Sequence, residues 1–156
     1  MPAPLTVAGA EKLRAELTAL KNERGTMSRA IGEARKLGDL SENADYHAAK
    51  EKQGLMEARI RFIEAKLAAA QVIDVSKIKN TGTVIFGATV TLEDLETGSQ
   101  VQYRIVGEDE SDVRAGLISN ISPLARAMMG KKIQQSFFVG EGVREKEWLI
   151  QAVEHK

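Results

Sequence analysis

The sequence has no cysteine, and its 156 residues include only three prolines, one tryptophan and 4% aromatic residues. The lack of cysteine excludes a disulfide framework and any metal centre with cysteine ligands. No hydrophobic run is long enough to span a membrane, and no basic and apolar leader opens the chain. We therefore expect a protein of the cytoplasm with no membrane partner.

The sequence also has no excess of positive or negative charge, since 22 basic residues balance 22 acidic residues. A general affinity for polyanions is therefore not predicted. Basic residues do cluster locally in the N-terminal half, at Arg24, Arg29, Arg35, Lys36, Lys50, Lys52, Arg59, Arg61 and Lys66. Two interpretations stay open: a solvated helix flank paired with glutamates, such as Glu57 with Arg61, or a contact with a nucleic acid or a protein partner.

The N-terminal half has two stretches with heptad spacing and very little glycine or proline. The seam of the first stretch is Leu13, Leu17, Leu20, Arg24, Met27, Ile31 and Ala34. The seam of the second is Ala44, Ala48, Glu51, Leu55, Ala58, Phe62, Ala65 and Ala69. This spacing predicts an antiparallel coiled-coil hairpin. A first helix from Leu13 to Leu37 would be roughly 37 Å long, so we expect much of it to project into solvent.

An acidic turn joins the two stretches, running from Gly38 to Asp45. Gly38 is placed to close the first helix, and Ser41 is placed to cap the second. Acidic residues in a first helical turn interact favourably with the helix dipole, which is a sufficient explanation for Glu42 and Asp45. It does not explain Asp39, which precedes the predicted cap.

The helical pattern stops at a polar segment between Asp74 and Gly82, where we place a domain boundary that gives domains 1–77 and 78–156. Short strand-like runs follow, at Thr83–Phe86, Ala88–Leu92, Val101–Val106, Gln135–Val139 and Trp148–Val153. One short helix is predicted, with Ser122 as its N-cap, Pro123 in its first position and Gly130 as its stop. The fold class is therefore α+β, with an antiparallel sheet and one short helix after the hairpin.

The C-terminal half contains no glycine-rich phosphate loop, no Cys/His cluster and no convincing Ser/His/Asp set. We therefore expect no catalytic activity and no small-molecule substrate for this domain. Its aromatic residues are Phe86, Tyr103, Phe137, Phe138 and Trp148. They are interpreted as core residues, with an aromatic ligand pocket as the alternative.

Several segments along the whole chain carry a resemblance to a known family. They are Gly38-Asp39-Leu40-Ser41-Glu42-Asn43-Ala44-Asp45-Tyr46-His47-Ala48-Ala49-Lys50, Val84-Ile85-Phe86-Gly87-Ala88-Thr89-Val90 and Ser122-Pro123-Leu124-Ala125-Arg126. In order and spacing, these segments resemble the GreA/GreB family of bacterial transcript cleavage factors. The resemblance implies an FKBP-like C-terminal domain that lacks prolyl isomerase activity.

The resemblance also implies a function and a partner. The hairpin would enter the secondary channel of bacterial RNA polymerase, while the C-terminal domain grips the rim of the channel. The factor would then stimulate the polymerase's own hydrolysis of the 3′ end of backtracked RNA and so rescue arrested complexes. It would not be an enzyme by itself.

Site residues carry over from the family to matching positions of this chain. Asp39 and Glu42 would be the assisting catalytic residues and the ligands of a Mg²⁺ ion shared with the polymerase. The resemblance assigns the tip loop to Leu40, Ser41, Asn43 and Tyr46, the RNA contact to Lys50, Lys52 and Arg59, and polymerase docking to Ser122, Pro123, Leu124, Ala125 and Arg126. Because Mg²⁺ prefers six oxygen ligands, two carboxylates would not hold it tightly, and the isolated protein is expected to have no cofactor.

The chain departs from the family pattern at two places. The segment from Glu23 to Met27 reads Glu-Arg-Gly-Thr-Met where the family often has a basic run with proline, and Gly25 weakens the first helix by about 1 kcal/mol relative to alanine. Gln134 and Gln135 stand where the family commonly has a Gly-Asp turn.

Three alternative functions stay open from the sequence. One is an inhibitory relative with the same fold, which occludes the channel without promoting cleavage. Another is a prolyl isomerase activity in the C-terminal domain, supported only by analogy of fold. The third is a coiled-coil scaffold without metal chemistry.

Overall fold

Two long helices followed by a five-stranded sheet make up the chain, in a computed structural model that describes residues 3–36 and 43–156. The elements are β1 (Ala3–Thr6), α1 (Val7–Arg35), α2 (Ala44–Ala69), β2 (Ala70–Ile73), β3 (Thr89–Asp94), β4 (Gln100–Val106), β5 (Leu117–Ser119), α3 (Pro123–Met128), β6 (Ser136–Val139) and β7 (Lys146–Glu154). Short 3₁₀ turns lie at Val75–Lys77, Glu108–Glu110, Val113–Ala115 and Gly142–Arg144. The predicted α+β class is confirmed.

The described residues form two compact units. Residues 10–70 make one unit, which we call the hairpin unit, and residues 3–9 join residues 71–156 in the other, which we call the sheet unit. The division predicted from the sequence between residues 77 and 78 stays a prediction.

Helix α1 begins earlier than the heptad pattern indicated, at Val7 instead of near Leu13. Thr6 provides the reason, since its Oγ1 accepts a hydrogen bond from the Gly9 backbone N–H at 3.0 Å, as N-cap side chains do. Glu110 in turn accepts hydrogen bonds from the backbone N–H and the hydroxyl of Thr6, and from the Gly107 N–H at 2.8 Å. One carboxylate thus holds the strand that leads into α1.

The apolar seam of the hairpin unit is only partly the one that the heptads predicted. On α1, Met27, Ile31 and Ala34 are buried as expected. On α2 the predicted seam is wrong, because the buried residues are Met56, Ile60 and Ile63. The predicted positions Ala44, Ala48, Glu51, Leu55, Ala58, Phe62, Ala65 and Ala69 are all exposed.

The reason lies in the sizes of the side chains on the two faces of α2. Full burial of an isoleucine or methionine contributes about 1.5–3 kcal/mol, and alanine offers much less area. The helix therefore turns its isoleucines and Met56 inward and leaves the alanine-rich face in water.

The main sheet has the strand order β5-β4-β3-β7-β6. Its β3–β4, β3–β7 and β6–β7 pairs are antiparallel, but β5 runs parallel to β4, so the sheet is mixed and the expectation of a purely antiparallel sheet is corrected. Strands β1 and β2 form a separate two-stranded sheet that the sequence did not predict.

The segment Thr83–Phe86 is not a strand as predicted, and only an isolated bridge joins Thr83 to Lys132. It pairs instead with the loop after α3, because the Val84 N–H donates to the Lys131 carbonyl and the Gly130 N–H donates to the Val84 carbonyl. Gly87, with a φ of +87°, then turns the chain into β3.

The core of the sheet unit lies between the sheet and α3. Its buried residues include Leu92, Ile105, Met128 and Ile150. The predicted N-cap of α3 is confirmed, since the Ser122 Oγ accepts from the Ala125 N–H at 3.2 Å. Among the aromatic residues, Phe86 and Phe137 are buried and Tyr103 and Trp148 are partly buried against the core, whereas Phe138 is 59% exposed.

The turn that precedes β6 contains a residue in the left-handed region of backbone conformation. Gln134 has a φ of +75° and is the one non-glycine residue with positive φ in the described chain. A side chain with a Cβ is disfavoured in this region, where glycine costs nothing. Gln134 therefore carries local backbone strain.

None of the helices in the described ranges is long and apolar enough to cross a membrane.

Candidate functional site

The acidic tip can be described only at its two ends. Gly38, Asp39, Leu40, Ser41 and Glu42 lie outside the described residues, in the gap 37–42 between Lys36 and Asn43. The predicted roles of Gly38 as a helix cap, of Asp39 and Glu42 as metal ligands, and of Leu40 and Ser41 in the tip loop therefore stay predictions. What the structure does describe is the frame that holds this segment.

Asn43 is the centre of that frame. Its Oδ1 accepts a hydrogen bond from the Tyr46 backbone N–H at 3.0 Å, and its Nδ2 donates to the Ala34 carbonyl. The N-cap of α2 is therefore Asn43, which corrects the prediction of Ser41. An asparagine amide suits this position because its oxygen satisfies an unpaired N–H of one helix while its nitrogen satisfies a carbonyl near the end of the other.

The position of this cap changes the interpretation of Glu42 and Asp45. Because α2 begins at Ala44, Asp45 is the acidic residue of its first turn, and Glu42 precedes the cap. A favourable interaction with the helix dipole explains an acidic residue at position 45, inside the first turn. It is a weaker explanation for an acidic residue at position 42, which lies before the cap. Asp39 and Glu42 thus share the segment between the two helix ends.

Tyr46 lies in the first turn of α2, next to the described end of the tip segment. Its side chain is half-buried and packs against the hydrophobic cluster of Met27, Ile31, Met56 and Ile60. Its ring also meets the His47 ring edge-on, with centroids 5.5 Å apart. The role predicted for Tyr46 in shaping the loop is compatible with this packing and stays a prediction.

The three residues predicted to contact RNA lie at different distances from the tip. Lys50 and Lys52 are exposed and lie roughly 9 and 12 Å along α2 from its start at Ala44. Arg59 lies roughly 22 Å along the same helix. The RNA contact stays a prediction for all three, and the two lysines are the better placed for a ligand at the tip.

Arg59 has a defined partner within the hairpin. Its Nε and Nη2 donate to the two carboxylate oxygens of Glu16 at 2.7 and 2.9 Å, which is a bidentate ion pair between the helices. These hydrogen bonds from Arg59 lower the pKa of the Glu16 carboxyl below its usual value, against an opposing contribution from partial burial. Arg59 therefore has a structural role in the described hairpin.

A second bidentate pair explains the charged residue in the first seam. The Nε and Nη2 of Arg24 donate to the oxygens of Glu57 at 2.9 and 3.0 Å. The expected pairing of Glu57 with Arg61 on the same helix is thus replaced by one across the hairpin. Lys21 and Glu64 approach each other at 4.0 Å further along. Sequence reasoning missed these pairs because they depend on which residues of α1 and α2 face each other.

The segment predicted to dock on the polymerase runs from Ser122 to Arg126, and some of its side chains are used within the fold. Ser122 caps α3, and Ala125 is completely buried. Pro123 and Arg126 are exposed, and Leu124 is half-buried. Only the exposed members offer side chains to a partner, and the docking role stays a prediction. Two flanking residues that the sequence did not single out, Ile121 and Met129, are also exposed.

The side chains that could act as metal ligands can be compared with what the predicted Mg²⁺ ion requires. Across residues 3–36 and 43–156, no group of three or more His, Cys or acidic side chains could hold a metal ion. Asp39 and Glu42 alone offer two carboxylates, which suit Mg²⁺ in kind but are too few to complete its coordination. The chain's residues therefore fit a shared metal, with further ligands from a partner.

Comparison with known families gives matches to both halves of the chain. Residues 3–72 match the family described as "Transcription elongation factor, N-terminal". Residues 79–155 match the family described as "Transcription elongation factor, GreA/GreB, C-term". Together the two matches cover most of the chain.

Individual relatives are similar over nearly the full length. A protein of Thioalkalivibrio sulfidiphilus named "Transcription elongation factor GreA" is 54% identical over 153 residues, which is 97% of each chain. A protein of the same name from Vibrio parahaemolyticus is 58% identical over 128 residues, or 82% of each chain. Among solved structures, GreA factor homolog 1 (Gfh1) of Thermus thermophilus is 25% identical, with 99% of each chain covered and a TM-score of 0.44.

Proposed function

Because this chain belongs to the GreA/GreB family of transcription elongation factors, we propose that it rescues backtracked RNA polymerase by stimulating cleavage of the RNA 3′ end. The hairpin of α1 and α2 enters the secondary channel of the polymerase, and exposed residues around α3 contact the rim of the channel. The factor works in the cytoplasm, has no small-molecule substrate and has no complete active site of its own.

The observation that carries this proposal is the double role of Asn43. By binding the Tyr46 N–H of α2 and the Ala34 carbonyl of α1, Asn43 joins the two helix ends on either side of residues 37–42. The ends of the segment that contains Asp39 and Glu42 are therefore held together. A short segment with fixed ends presents its carboxylates within a restricted volume, which suits the delivery of ligands to a second molecule.

The hairpin also has the stiffness that such delivery requires. The bidentate pairs Arg24–Glu57 and Arg59–Glu16 join the two helices at two levels. Each exposed pair contributes little free energy alone, but pairs at several levels resist sliding of one helix along the other. The described ends of α1 and α2 beside the tip segment are then held in register with each other.

Asp39 and Glu42 would hold the shared Mg²⁺ together with ligands from the polymerase. A second metal at such a site supplies activation of a water nucleophile and stabilisation of the leaving oxygen. Lys50 and Lys52 attract phosphates of the extruded RNA from the exposed face of α2, roughly 9 to 12 Å along the helix from its start.

The test is RNA cleavage in a defined backtracked complex of the cognate polymerase, with Asp39→Ala, Glu42→Ala and Asp45→Ala compared with the parent chain. We expect Asp39→Ala and Glu42→Ala to lose stimulation by about tenfold or more while binding is retained. Asp45→Ala is the matched control, because it removes the same charge from the first turn of α2.

Three results would contradict the proposal. Equal losses in all three variants would show a general charge effect, and full activity in all three would favour a scaffold without metal chemistry. A parent chain that binds but slows both cleavage and synthesis would be an inhibitor that occludes the channel.

A further inference from the structure

Two glycines interrupt the long helices of the hairpin unit at positions where packing does not require them. Gly25 lies in α1, and Gly54 is the only glycine of α2. Both are exposed, and among the described residues a Cβ at either position would meet no heavy atom within 4 Å outside its own stretch of helix. Alanine would therefore fit at both positions and would favour the helix more than glycine does. What glycine adds there is conformational freedom of the backbone.

The two glycines lie at nearly the same level of the hairpin. Asn43 donates to the Ala34 carbonyl and so marks corresponding positions on the two helices. Gly25 comes nine residues before Ala34, and Gly54 comes eleven residues after Asn43. At about 1.5 Å per residue, the levels of the two glycines differ by only about 3 Å. Both helices are therefore weakened at one place.

An ion pair beside the glycines fixes the register of the two helices but permits a bend. Arg24 is the neighbour of Gly25, and it donates to both carboxylate oxygens of Glu57, which is less than one helical turn from Gly54. This pair opposes sliding of one helix along the other. A bend at one level, out of the plane that contains both helix axes, keeps the two helices equal in length and requires no sliding.

The apolar contact between the helices at this level is made by two methionines. Met27 and Met56 each lie two residues beyond the glycine of their own helix, and both are buried in one cluster with Ile31 and Ile60. A methionine side chain is unbranched and adapts to irregular space, whereas an isoleucine is stiff at its Cβ. The contact between the helices is thus most adaptable where their backbones are weakest.

Gly32, which is also an exposed glycine of α1, lacks this arrangement. A Cβ there would likewise meet open space among the described residues. Gly32 lies two residues before Ala34, so its counterpart on α2 is near Asp45, far from Gly54. A bend of α1 at Gly32 is therefore opposed by a stretch of α2 that contains no glycine.

We propose that Gly25 and Gly54, with Met27 and Met56 beside them, form a joint at which the two helices of the hairpin bend together. The described ends of α1 and α2 beyond the joint then tilt as one body and keep their register. The inference concerns the hairpin unit alone, and its test contains no polymerase, so it succeeds or fails separately from the proposed function.

The test measures the bending of α1 through the distance between two spin labels. The chain has no cysteine, so Thr18→Cys and Arg35→Cys place labels only at two exposed positions on either side of Gly25. Their separation along the helix is about 26 Å. Double electron–electron resonance on the frozen full chain gives the distribution of this distance. For labels about 10 Å from the helix axis, a bend of about 20° changes the distance by roughly 3 Å.

A substitution on the opposite helix gives the sharpest prediction. Because the two helices bend only together, Gly54→Ala on α2 should narrow the distribution between the labels on α1 by about 3 Å, as Gly25→Ala does. The double variant should narrow it no further. Gly32→Ala is the matched control, since it makes the same substitution at an exposed glycine between the labels, and it should leave the width unchanged.

Stability separates a joint from a general gain in helix formation. Each of the three single variants should raise the unfolding temperature by about 2–4 °C, because alanine replaces glycine within a helix in every case. Only Gly25→Ala and Gly54→Ala should also narrow the distance distribution. Greater stability alone therefore does not explain the expected difference between these two variants and Gly32→Ala.

Three results would overturn the proposal. A parent distribution as narrow as that of Gly25→Ala would show that α1 does not bend at this glycine. An unchanged distribution in Gly54→Ala would show that α1 bends independently of α2. Equal narrowing by Gly32→Ala would show that the width reports on helix formation in general and not on one level of the hairpin.

Discussion

The hairpin unit and the sheet unit are stabilised by different means. In the sheet unit, a cluster that includes Leu92, Ile105 and Ile150 is completely buried between the sheet and α3. In the described part of the hairpin unit, the corresponding cluster is Met27, Ile31, Met56 and Ile60, and ion pairs between exposed side chains reinforce it. The hairpin thus depends more on polar contacts at its surface. A hairpin of only two helices can bury little of itself.

The largest expected loss of stability comes from core substitutions, which test the difference between the two units directly. Leu92→Ala in the sheet unit should lower the free energy of unfolding by an amount in the upper part of the usual range of about 2–5 kcal/mol. Ile60→Ala in the hairpin should cost an amount in the lower part of that range, because two helices can close around the gap more easily than a sheet can.

The two units can be followed separately during urea unfolding. Trp148 is the only tryptophan and lies in the sheet unit, so its fluorescence reports on that unit. Far-UV circular dichroism reports mainly on α1 and α2. If both signals shift together by the same amount in both variants, the units unfold as one and the contrast is wrong.

A smaller loss of stability is expected from substitution of Asn43, which joins the ends of α1 and α2. Asn43→Ala should destabilise the hairpin by about 1–2 kcal/mol, since an N-cap and a second hydrogen bond are both lost. Asn43→Asp keeps the acceptor for the Tyr46 N–H but places a carboxylate oxygen against the Ala34 carbonyl oxygen, so any destabilisation that it causes reports on the contact with α1. The stability of each variant can be measured by thermal unfolding, with circular dichroism as the signal.

Asn22→Ala is the control for these variants, because it makes the same substitution at an exposed position within α1, where alanine is the better helix former. Stability equal to the parent in Asn43→Ala would show that the amide does not hold the hairpin closed.

The smallest effect is expected from the pair of Glu16 and Arg59, and it depends on pH. The hydrogen bonds from Arg59 lower the pKa of Glu16 in the folded chain below its ordinary value near 4.5. The stabilisation is therefore present above that value and is lost as the pH falls through the lower pKa of the folded state. At neutral pH an exposed pair of this kind is expected to contribute about 0.2–1 kcal/mol.

A double-mutant cycle of Glu16→Gln and Arg59→Gln gives the interaction energy directly. It should be measurable at neutral pH and low salt, decrease with added salt, and vanish in acid. An interaction energy that does not change with pH would exclude the carboxylate as its source.

The sequence predicted the two helices well, because their hydrophobic spacing is a local signal, and the tip between them stays a prediction. It predicted the seam of α2 wrongly, because that helix has two stripes and spacing alone does not show which one faces α1. The buried stripe has three large apolar side chains, Met56, Ile60 and Ile63, whereas the exposed one has Leu55 and Phe62 among alanines, so the larger total apolar size was the available signal. The pairs of Arg24 with Glu57 and of Arg59 with Glu16 required knowledge of the register between the helices.

In the sheet unit, the positions of most strands and the cap of α3 followed from local patterns. The parallel pairing of β5 did not, because it depends on how the chain returns between Val106 and Leu117. In the candidate site, the sequence singled out Asp39 and Glu42, and the structure adds Asn43 as the residue that frames them. Asparagine was expected in the tip loop, but its bond to Ala34 depends on the closeness of two helix ends.

The contact of Thr6 with Glu110 has a consequence for the order of events during synthesis. The two residues are 104 positions apart, so the carboxylate that anchors the entrance to α1 is made long after the helix itself. Residues 10–70 emerge from the ribosome before residues 71–156 and can close their hairpin early, since they form a compact unit of their own. The strand before α1 must wait for its anchor, so the beginning of this chain is among the last parts to reach its final position.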